Sequence, residues 1–243
     1  MRSDGSDLEL LRVEIETIWS VDERGRITLG PDLVIAGGTG GSIAAVGSGV
    51  SDALAGQLTA SVQQTGISAP PGSPPRVLET CRGLLEAELG PVDLTPASGP
   101  SYLVGETVDF QSAAQLVRSD DSHSNWLRGA TPDNSEVEEW QQLIDGTLGP
   151  WAMAVDNALV IAICHTARNG GRGVEAGVWT RPGFRGRGHA AAVTAAWSAQ
   201  LRSDERWVFY STGRTNLSSQ RVAARLGLRP LGWLWQLVRR NSH

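Results

Sequence analysis

The sequence predicts an α/β protein in which strands and helices alternate along the chain. Short apolar runs of strand length are separated by longer runs whose apolar residues recur with the period of amphipathic helices. The most informative segment is a strand-like run at 176–180, followed by a glycine-containing segment at 185–190 and an alanine-rich helical run. The chain has 243 residues, 40% of them hydrophobic, which suffices for one large domain or two small ones.

The first part of the chain is predicted to form three helices and several short strands. The predicted helices span 6–20, 51–64 and 77–89, and the predicted strands span 26–29, 33–36, 43–46 and 101–104. Ser51 is the predicted N-cap of the second helix, and Gly90 and Pro91 end the third. The segments 66–75 and 96–100 are rich in proline, glycine and serine, and they are predicted to interrupt regular structure.

A domain boundary is predicted near residue 108, between an N-terminal α+β region (1–108) and a second domain (109–243). In the second domain the predicted helices span 137–144, 189–201 and 216–226, and the predicted strands span 151–155, 158–166, 174–180, 207–212 and 231–238. Asp156 and Asn157 form the turn of a hairpin. Asn216 caps the last helix and Gly227 ends it.

Composition excludes several classes of function. The net charge of -5, without a long run of one sign, gives no electrostatic reason to expect DNA as a partner. No apolar run approaches the roughly 20 residues that span a bilayer, so no membrane association is expected. Cys81 and Cys164 are far apart and are expected to be reduced thiols in a cytoplasmic protein. The chain contains no lysine, which excludes Walker P-loops, protein kinases, Ser-Lys hydrolases and pyridoxal-phosphate Schiff bases.

Two glycine loops are candidates for binding a phosphate. The first, at 37–41, has Gly38 and Gly40 in the spacing of a dinucleotide-binding loop, but Ile43 stands at the third glycine position, so a hairpin between two short strands is the favoured interpretation. The second, at 185–190, follows a strand and opens a helix, so its backbone N–H groups can hold an anion. This second loop predicts a pyrophosphate-bearing ligand.

The second loop is part of a longer pattern. It reads Arg-x-x-Gly-x-Ala from Arg185 to Ala190 and is preceded by Thr180, Pro182 and Phe184. Downstream, the pattern continues with Asn216, Ser219, Val222, Ala223, Leu226, Gly227 and Leu228. In this order and spacing, over about residues 150–238, the chain resembles the GCN5-related N-acetyltransferase (GNAT) superfamily. It is similar to a branch with an extra N-terminal region, which we interpret as a degenerate GNAT-like half or as an element of the acceptor site or of a homodimer.

The resemblance implies a GNAT-type fold, with a mixed, mostly antiparallel sheet flanked by helices. It also implies acetyl-CoA, or another acyl thioester, as the co-substrate, and no metal. The expected contacts to this co-substrate come from Val178, Trp179, Thr180, Arg185, Gly186, Arg187, Gly188, His189, Ala190, Asn216 and Ser219. The strand residues are expected to bond the pantetheine arm, and the loop N–H groups to hold the pyrophosphate. For Arg187, a solvated loop arginine is an equal alternative.

The resemblance further implies a direct attack of a substrate amine on the thioester. Glu175 is the first candidate for the general base and His165 the second; the alternatives are a carboxylate on the wrong face of the strand and a hydrogen-bonded structural histidine. Many family members carry a tyrosine as general acid where this chain has Ala223. Tyr210 and Ser219 are candidate substitutes, although Tyr210 also suits a packing role, and the thiolate can leave without a protein acid.

The predicted function is an acyl-CoA-dependent N-acyltransferase that transfers acetyl to a primary amine of a small molecule or peptide. One alternative is a GNAT-fold acyltransferase with a longer acyl-CoA, an acyl-carrier protein or an aminoacyl-tRNA as donor. Another is a non-catalytic module that binds CoA. The helix around Glu138, Glu139 and Trp140 is expected either to shape the acceptor cleft or to be a solvated helix face with one buried tryptophan.

Overall fold

A computed structural model describes residues 5–38, 40–65, 72–90, 94–122, 124–132, 136–203 and 205–239. These residues divide into two compact units, which lie within the ranges 1–102, 211–217 and 230–243 for the first and 103–210 and 218–229 for the second. None of the helices in these described ranges is long and apolar enough to cross a membrane.

The first unit combines three helices with a four-stranded sheet. Its helices are α1 (Asp7–Ile18), α2 (Asp52–Thr65) and α3 (Arg76–Leu89), and its strands are β1 (Leu33–Gly38), β2 (Gly41–Val46), β3 (Leu94–Leu103) and β9 (Arg229–Arg239), in the order β2-β1-β9-β3. β1 is antiparallel to both of its neighbours. The Ser51 hydroxyl accepts a hydrogen bond from the Leu54 N–H at 3.2 Å, which confirms the predicted cap of α2. The buried core of this unit includes Leu58, Val62, Leu85 and Leu237.

The first glycine loop is a hairpin turn. β1 and β2 pair antiparallel up to Gly38 and Gly41, so the glycines connect two adjacent strands. This geometry confirms the hairpin interpretation of the 37–41 segment. The predicted loop at 66–75 lies mostly outside the described residues.

Two predictions for the first unit are wrong. The segment 26–29 forms no strand, because Ile27 makes only isolated bridges to Val21 and Gly47 while the Arg26 side chain folds over the loop before α2. The segment 96–100 does not interrupt regular structure but lies within β3. Pro96 and Pro100 lack an N–H group, but the strand can still pair here through its carbonyls. Ser98 O accepts from Arg214 N at 2.8 Å, and Pro100 O accepts from Thr212 N at 3.2 Å.

The second unit contains a five-stranded sheet with helices on both faces. Its strands are β4 (Gln115–Arg118), β5 (Trp151–Asp156), β6 (Leu159–Asn169), β7 (Gly173–Thr180) and β8 (Trp207–Ser211), in the order β8-β7-β6-β5-β4, and its helices are α4 (Val137–Ile144), α5 (His189–Gln200) and α6 (Leu217–Arg225). β4 to β7 are antiparallel to their neighbours, and β7 is parallel to β8. This mixed, mostly antiparallel sheet flanked by helices confirms the predicted fold class.

The two faces of this sheet carry different helices. On one face, Trp140 of α4 packs in a buried cluster with Trp151, Met153 and Ile163. On the other face, the Trp197 indole N–H of α5 donates to the Thr166 hydroxyl at 3.1 Å. Successive side chains of a strand point to opposite faces, so odd-numbered residues of β6 near position 165 face α4.

Candidate functional site

β7 and β8 separate part of the way along their length. They pair through Gly173 with Trp207 and through Glu175 with Phe209, and within these fully described strands the pairing stops there. The remainder of β7, 176–180, stays paired with β6 on its other side. Alternate residues of an antiparallel strand direct their N–H and C=O groups away from that partner. The second half of β7 therefore offers backbone hydrogen-bonding groups to an extended amide-containing ligand in the gap beside it.

A glycine loop follows this half of β7. After a short 3-10 turn, Pro182–Phe184, the loop reaches α5 through Gly186 and Gly188, which have φ angles of 79° and 90°. Such positive φ values are readily adopted only by glycine. Gly188 is the N-cap residue of α5 and supplies no side-chain hydrogen bond to it. The N–H groups of the first helical turn, including His189 and Ala190, lack intrahelical acceptors and can bind an anion.

The side chains around the loop divide into those that face solvent and those that fix the loop. Arg185 Nε donates to the Thr180 carbonyl at 3.2 Å and so ties the loop to the end of β7. Arg187 is exposed, with its guanidinium 5.3 Å from the centre of the Phe184 ring. His189 is buried; its Nδ1 lies 3.3 Å from the Ser112 hydroxyl, and the centre of its ring lies 6.4 Å from that of Phe184.

Two residues that the sequence did not indicate, Phe110 and Arg225, lie beside Gly188 of the loop. A Cβ atom on Gly188 would lie 3.1 Å from Phe110 Cε1 and 3.5 Å from Arg225 Nη1. The Arg225 guanidinium lies 5.8 Å from the centre of the Phe110 ring. Neither residue belongs to the motif around the loop, and their separation in sequence gave no signal of this contact.

A cavity of about 150 Å³ lies between α4 and the same half of β7. Its apolar lining comes from Trp140, Leu143, Leu148, Ile163 and Trp179, and its polar lining from Glu139 and His165. The Trp140 indole N–H is already bonded to the Leu127 carbonyl at 2.9 Å, so Trp140 offers the cavity only its apolar surface. Trp140 is the buried tryptophan expected on this helix, and Glu139 lines the cavity, so a part for the helix in an acceptor cleft stays a prediction.

The His165 imidazole is held above Gly177. A Cβ atom on Gly177 would lie 2.6 Å from His165 Nε2, so the absence of a side chain there makes room for the ring. Burial lowers the pKa of His165 below its ordinary value, and Arg168 adds to this, while Glu139 opposes it. His165 is therefore a neutral imidazole at pH 7, the form that can accept a proton.

Glu175 is a buried carboxylate at the last residue pair between β7 and β8. The two-residue period of the strand places it on the same face as Gly177 and Trp179. It does not lie on the solvent side of the strand, but the α4 cavity is lined by other residues. Of the two candidate bases, only His165 reaches that cavity.

Tyr210 and Ser219 are brought together. The Tyr210 hydroxyl lies 2.7 Å from the Ser219 hydroxyl, which belongs to the first turn of α6. Tyr210 is only 2% exposed, whereas Ser219 is half-buried, so Ser219 is the outer member of the pair. Asn216 immediately precedes α6, and Ala223 is fully buried within it. Among the residues that the structure describes, no group of three or more His, Cys, Asp and Glu side chains is placed to hold a metal ion.

Comparisons with known proteins bear on this site. Residues 105–229 match the family model described as an acetyltransferase (GNAT) domain. Similar solved structures include a putative acetyltransferase from the GNAT family from Novosphingobium aromaticivorans, with 17% identity over 83% of this chain and 84% of that chain and a TM-score of 0.48. A GCN5-related N-acetyltransferase from Kribbella flavida has 15% identity over 99% of this chain and 98% of that chain, with a TM-score of 0.46. A tandem GNAT protein from the clavulanic acid biosynthesis pathway has 13% identity over 89% of this chain and 86% of that chain, with a TM-score of 0.49.

A comparison with the curated proteins gave no match. The family model alone spans more than half of the chain, and its range contains the separated strands, the glycine loop and the α4 cavity. The protein therefore belongs to the GNAT acetyltransferases, N-acyltransferases that take an acyl group from acyl-CoA.

Proposed function

We propose that this protein transfers the acetyl group of acetyl-CoA to a primary amine of a small molecule or peptide by direct attack. The observation that carries the proposal is the separation of β7 from β8 beside the glycine loop. It combines free strand-edge hydrogen-bonding groups with a helix N-terminus, which suits a ligand that is an amide chain at one end and a pyrophosphate at the other.

The proposed donor-binding residues lie along β7, in the glycine loop and at the start of α6. Val178, Trp179 and Thr180 offer their backbone groups to the pantetheine arm, and the N–H groups from Gly186 to Ala190 face the pyrophosphate. Arg185 and Arg187 add positive charge, which strengthens hydrogen bonds to phosphate. Asn216 and Ser219 complete the proposed set at the start of α6. The bound co-substrate supplies the activated acyl group.

His165 is the proposed general base. An alkylamine is an ammonium ion at pH 7 and must lose a proton before it can attack a carbonyl carbon. A neutral imidazole in the wall of the cavity can accept that proton, and burial keeps the pKa of His165 low enough for the neutral form to prevail. Glu175 remains the second candidate, placed two residues from Gly177 on the same strand face.

The Ser219 and Tyr210 hydroxyls are the proposed proton source for the leaving thiolate. Ser219 stands in the first turn of α6, where the helix dipole favours negative charge. As the C–S bond breaks, Ser219 donates its proton to sulfur and regains one from Tyr210, at 2.7 Å. Because Tyr210 is buried, it regains its proton from solvent through Ser219, the outer member of the pair.

The donor is tested by thermal-shift measurements with CoA, acetyl-CoA and longer acyl-CoAs, followed by mass spectrometry of a panel of amines. We expect stabilisation by CoA and an amine product that carries one acetyl group. If no CoA species stabilises the protein at millimolar concentration, the proposal fails. Turnover with a longer acyl-CoA but not with acetyl-CoA would show that the acyl donor is the longer acyl-CoA.

The base is tested by single-turnover rates of His165→Ala and Glu175→Gln. Loss of a general base typically costs about 10²-fold to 10⁴-fold in rate. We expect a loss of this size in His165→Ala and a smaller one in Glu175→Gln. The reverse order would assign the role to Glu175, and unchanged rates in both variants would remove both residues from the mechanism.

A further inference from the structure

We propose that the α4 cavity, lined by Glu139, His165 and Trp179 among others, holds the acceptor and selects a compact, apolar primary ammonium through the Glu139 carboxylate. This inference rests on the proposed function, because it names the substrate class of the same site. Three observations carry it: the size of the cavity, the distribution of charge in its lining, and the position of the base.

The size of the cavity limits the acceptor. A volume of about 150 Å³ is close to that of a cavity that holds one benzene molecule, and it is well below the roughly 300 Å³ at which drug-sized ligand pockets begin. The part of the acceptor that enters is therefore one ring or a short alkyl chain. A larger acceptor can place only one such ring or short alkyl chain in the cavity, with the rest of the molecule outside.

The lining, as far as the described residues form it, is apolar except at two positions. Glu139 supplies a carboxylate, and His165 supplies a neutral imidazole. Arg168, which also influences His165 electrostatically, is exposed on β6, and its guanidinium donates to the neighbouring Ala167 carbonyl at 2.8 Å. The Arg181 guanidinium lies 5.7 Å from the centre of the Trp179 ring and donates from Nε to the Val160 carbonyl at 3.3 Å, and Arg181 is not one of the lining residues. Among the lining residues that the structure describes, the negative charge comes from Glu139, and it attracts an ammonium and repels a carboxylate.

The chemistry follows from this placement. Glu139 attracts the protonated amine, and the amine passes one proton to His165. The neutral nitrogen then attacks the thioester carbonyl carbon, so that a C–N bond forms and the C–S bond breaks. The thiolate takes a proton from the Ser219 hydroxyl, and the second amine proton goes to solvent. Glu139 is a specificity residue in this scheme, since it binds the acceptor without entering the bond changes.

Charge selection is tested with three acceptors of similar size: benzylamine, which is a cation; aniline, which is neutral; and 4-(aminomethyl)benzoate, which adds a carboxylate. We expect wild-type protein to acylate benzylamine with the highest kcat/KM. Because Glu139 is exposed, Glu139→Gln should raise the KM for benzylamine about 5-fold, the effect of losing about 1 kcal/mol of binding, with kcat nearly unchanged and aniline unaffected. Glu139→Lys should reverse the order of benzylamine and 4-(aminomethyl)benzoate.

Glu138→Gln is the matched control. Glu138 is the adjacent carboxylate of α4; it is exposed like Glu139 but lies outside the cavity lining, so its removal changes the net charge equally. It should leave all three acceptors unchanged. Leu148→Trp tests the size limit by filling the half-buried edge of the cavity; it should impair benzylamine more than methylamine. CoA binding, measured for every variant, reports whether the fold and donor site are intact.

The outcomes separate the two proposals. If wild-type protein binds CoA but acylates no amine of a broad panel, the proposed function fails. If benzylamine is acylated but Glu139→Gln and Glu138→Gln have the same KM, or if the carboxylate-bearing acceptor is used equally well, the charge selection is wrong and the proposed function stands. Equal effects of Leu148→Trp on benzylamine and methylamine would refute the size limit.

Discussion

Replacing Gly188 by glutamate perturbs the proposed anion site at its centre. Gly188 is buried, has a φ of 90°, and would place a Cβ atom 3.1 Å from Phe110. The left-handed backbone costs a non-glycine residue about 1–2 kcal/mol, and the contact with the ring adds to this cost. The new carboxylate also stands at the N-terminus of α5, where the ligand phosphate is proposed to bind.

The size of the binding effect follows from electrostatics. Two unit charges about 6 Å apart interact by about 3 kcal/mol at an effective dielectric constant of about 20, which corresponds to a change of about 100-fold in Kd. Isothermal titration of folded protein with CoA measures this change. We therefore expect Gly188→Glu to weaken CoA binding by about 100-fold or more.

Gly171→Glu is the matched control for this experiment. It adds the same charge at an exposed position in the turn between β6 and β7, where a Cβ atom meets nothing within 4 Å and φ is not positive. Its Kd should equal that of wild-type protein. Equal Kd values for Gly188→Glu and Gly171→Glu would refute the assignment of the loop to the phosphate.

Three further predictions concern catalysis, stoichiometry and stability. Burial lowers the pKa of His165, and only its neutral form accepts a proton, so kcat/KM should fall on acidification only below the ordinary imidazole pKa. His165→Ala should remove this acidic limb of the pH profile. An unaltered limb would show that another group titrates. If the first unit were a second GNAT-like half, a helix N-terminus such as that of α2 would have to bind a second CoA. The Ser51 N–H at the start of α2 already donates to the Glu88 carboxylate at 2.8 Å, so CoA should titrate to one equivalent per chain. A stoichiometry of two equivalents would contradict this expectation. Arg26 donates to the carbonyls of Val46, Gly47 and Val50 and to Asp52, so Arg26→Met should cost about 3 kcal/mol, or a decrease in Tm of about 6–12 °C. Arg24→Met, which removes a 75%-exposed partner of the same Asp52, should change Tm little, and similar losses in the two variants would refute the role given to the Arg26 carbonyl contacts.

The parts of the fold that local sequence determines were predictable. The helices α1, α3 and α4 follow the apolar periodicity of their sequences, and α3 ends at the predicted Gly90. The β5–β6 hairpin was also predicted, although its turn lies at Asn157 and Ala158, which have positive φ, one residue later than the predicted Asp156 and Asn157. These features depend on neighbours within a few residues, and that is why pattern alone identified them.

The failures have long-range causes. The strand predicted at 26–29 has the right local pattern, but Arg26 is held by carbonyls about 20 to 24 positions away in the chain. β3 contains prolines, and its Ser98 and Pro100 carbonyls accept hydrogen bonds from Arg214 and Thr212, more than 100 positions away in the chain. Local propensity is overridden in both places by contacts that the sequence pattern does not encode.

The glycine loop and the proposed catalytic residues also differ in how far sequence predicts them, and for the same reason. The loop was predictable because its glycines and the following helix are adjacent in sequence. The contact between Gly177 and the His165 ring, and the pairing of Tyr210 with Ser219, arise only when separate elements pack together. The sequence suggested these residues singly or not at all, and the geometry relates them to each other.

The most direct test of the account is acyl transfer itself, measured by mass spectrometry with isotope-labelled acetyl-CoA and a panel of small primary amines. We expect a product that carries the labelled acetyl group on nitrogen, formed by wild-type protein and by Gly171→Glu and lost in Gly188→Glu. Wild-type protein that binds CoA but transfers no label to any amine, or Gly188→Glu that transfers it at the wild-type rate, would contradict the proposed function.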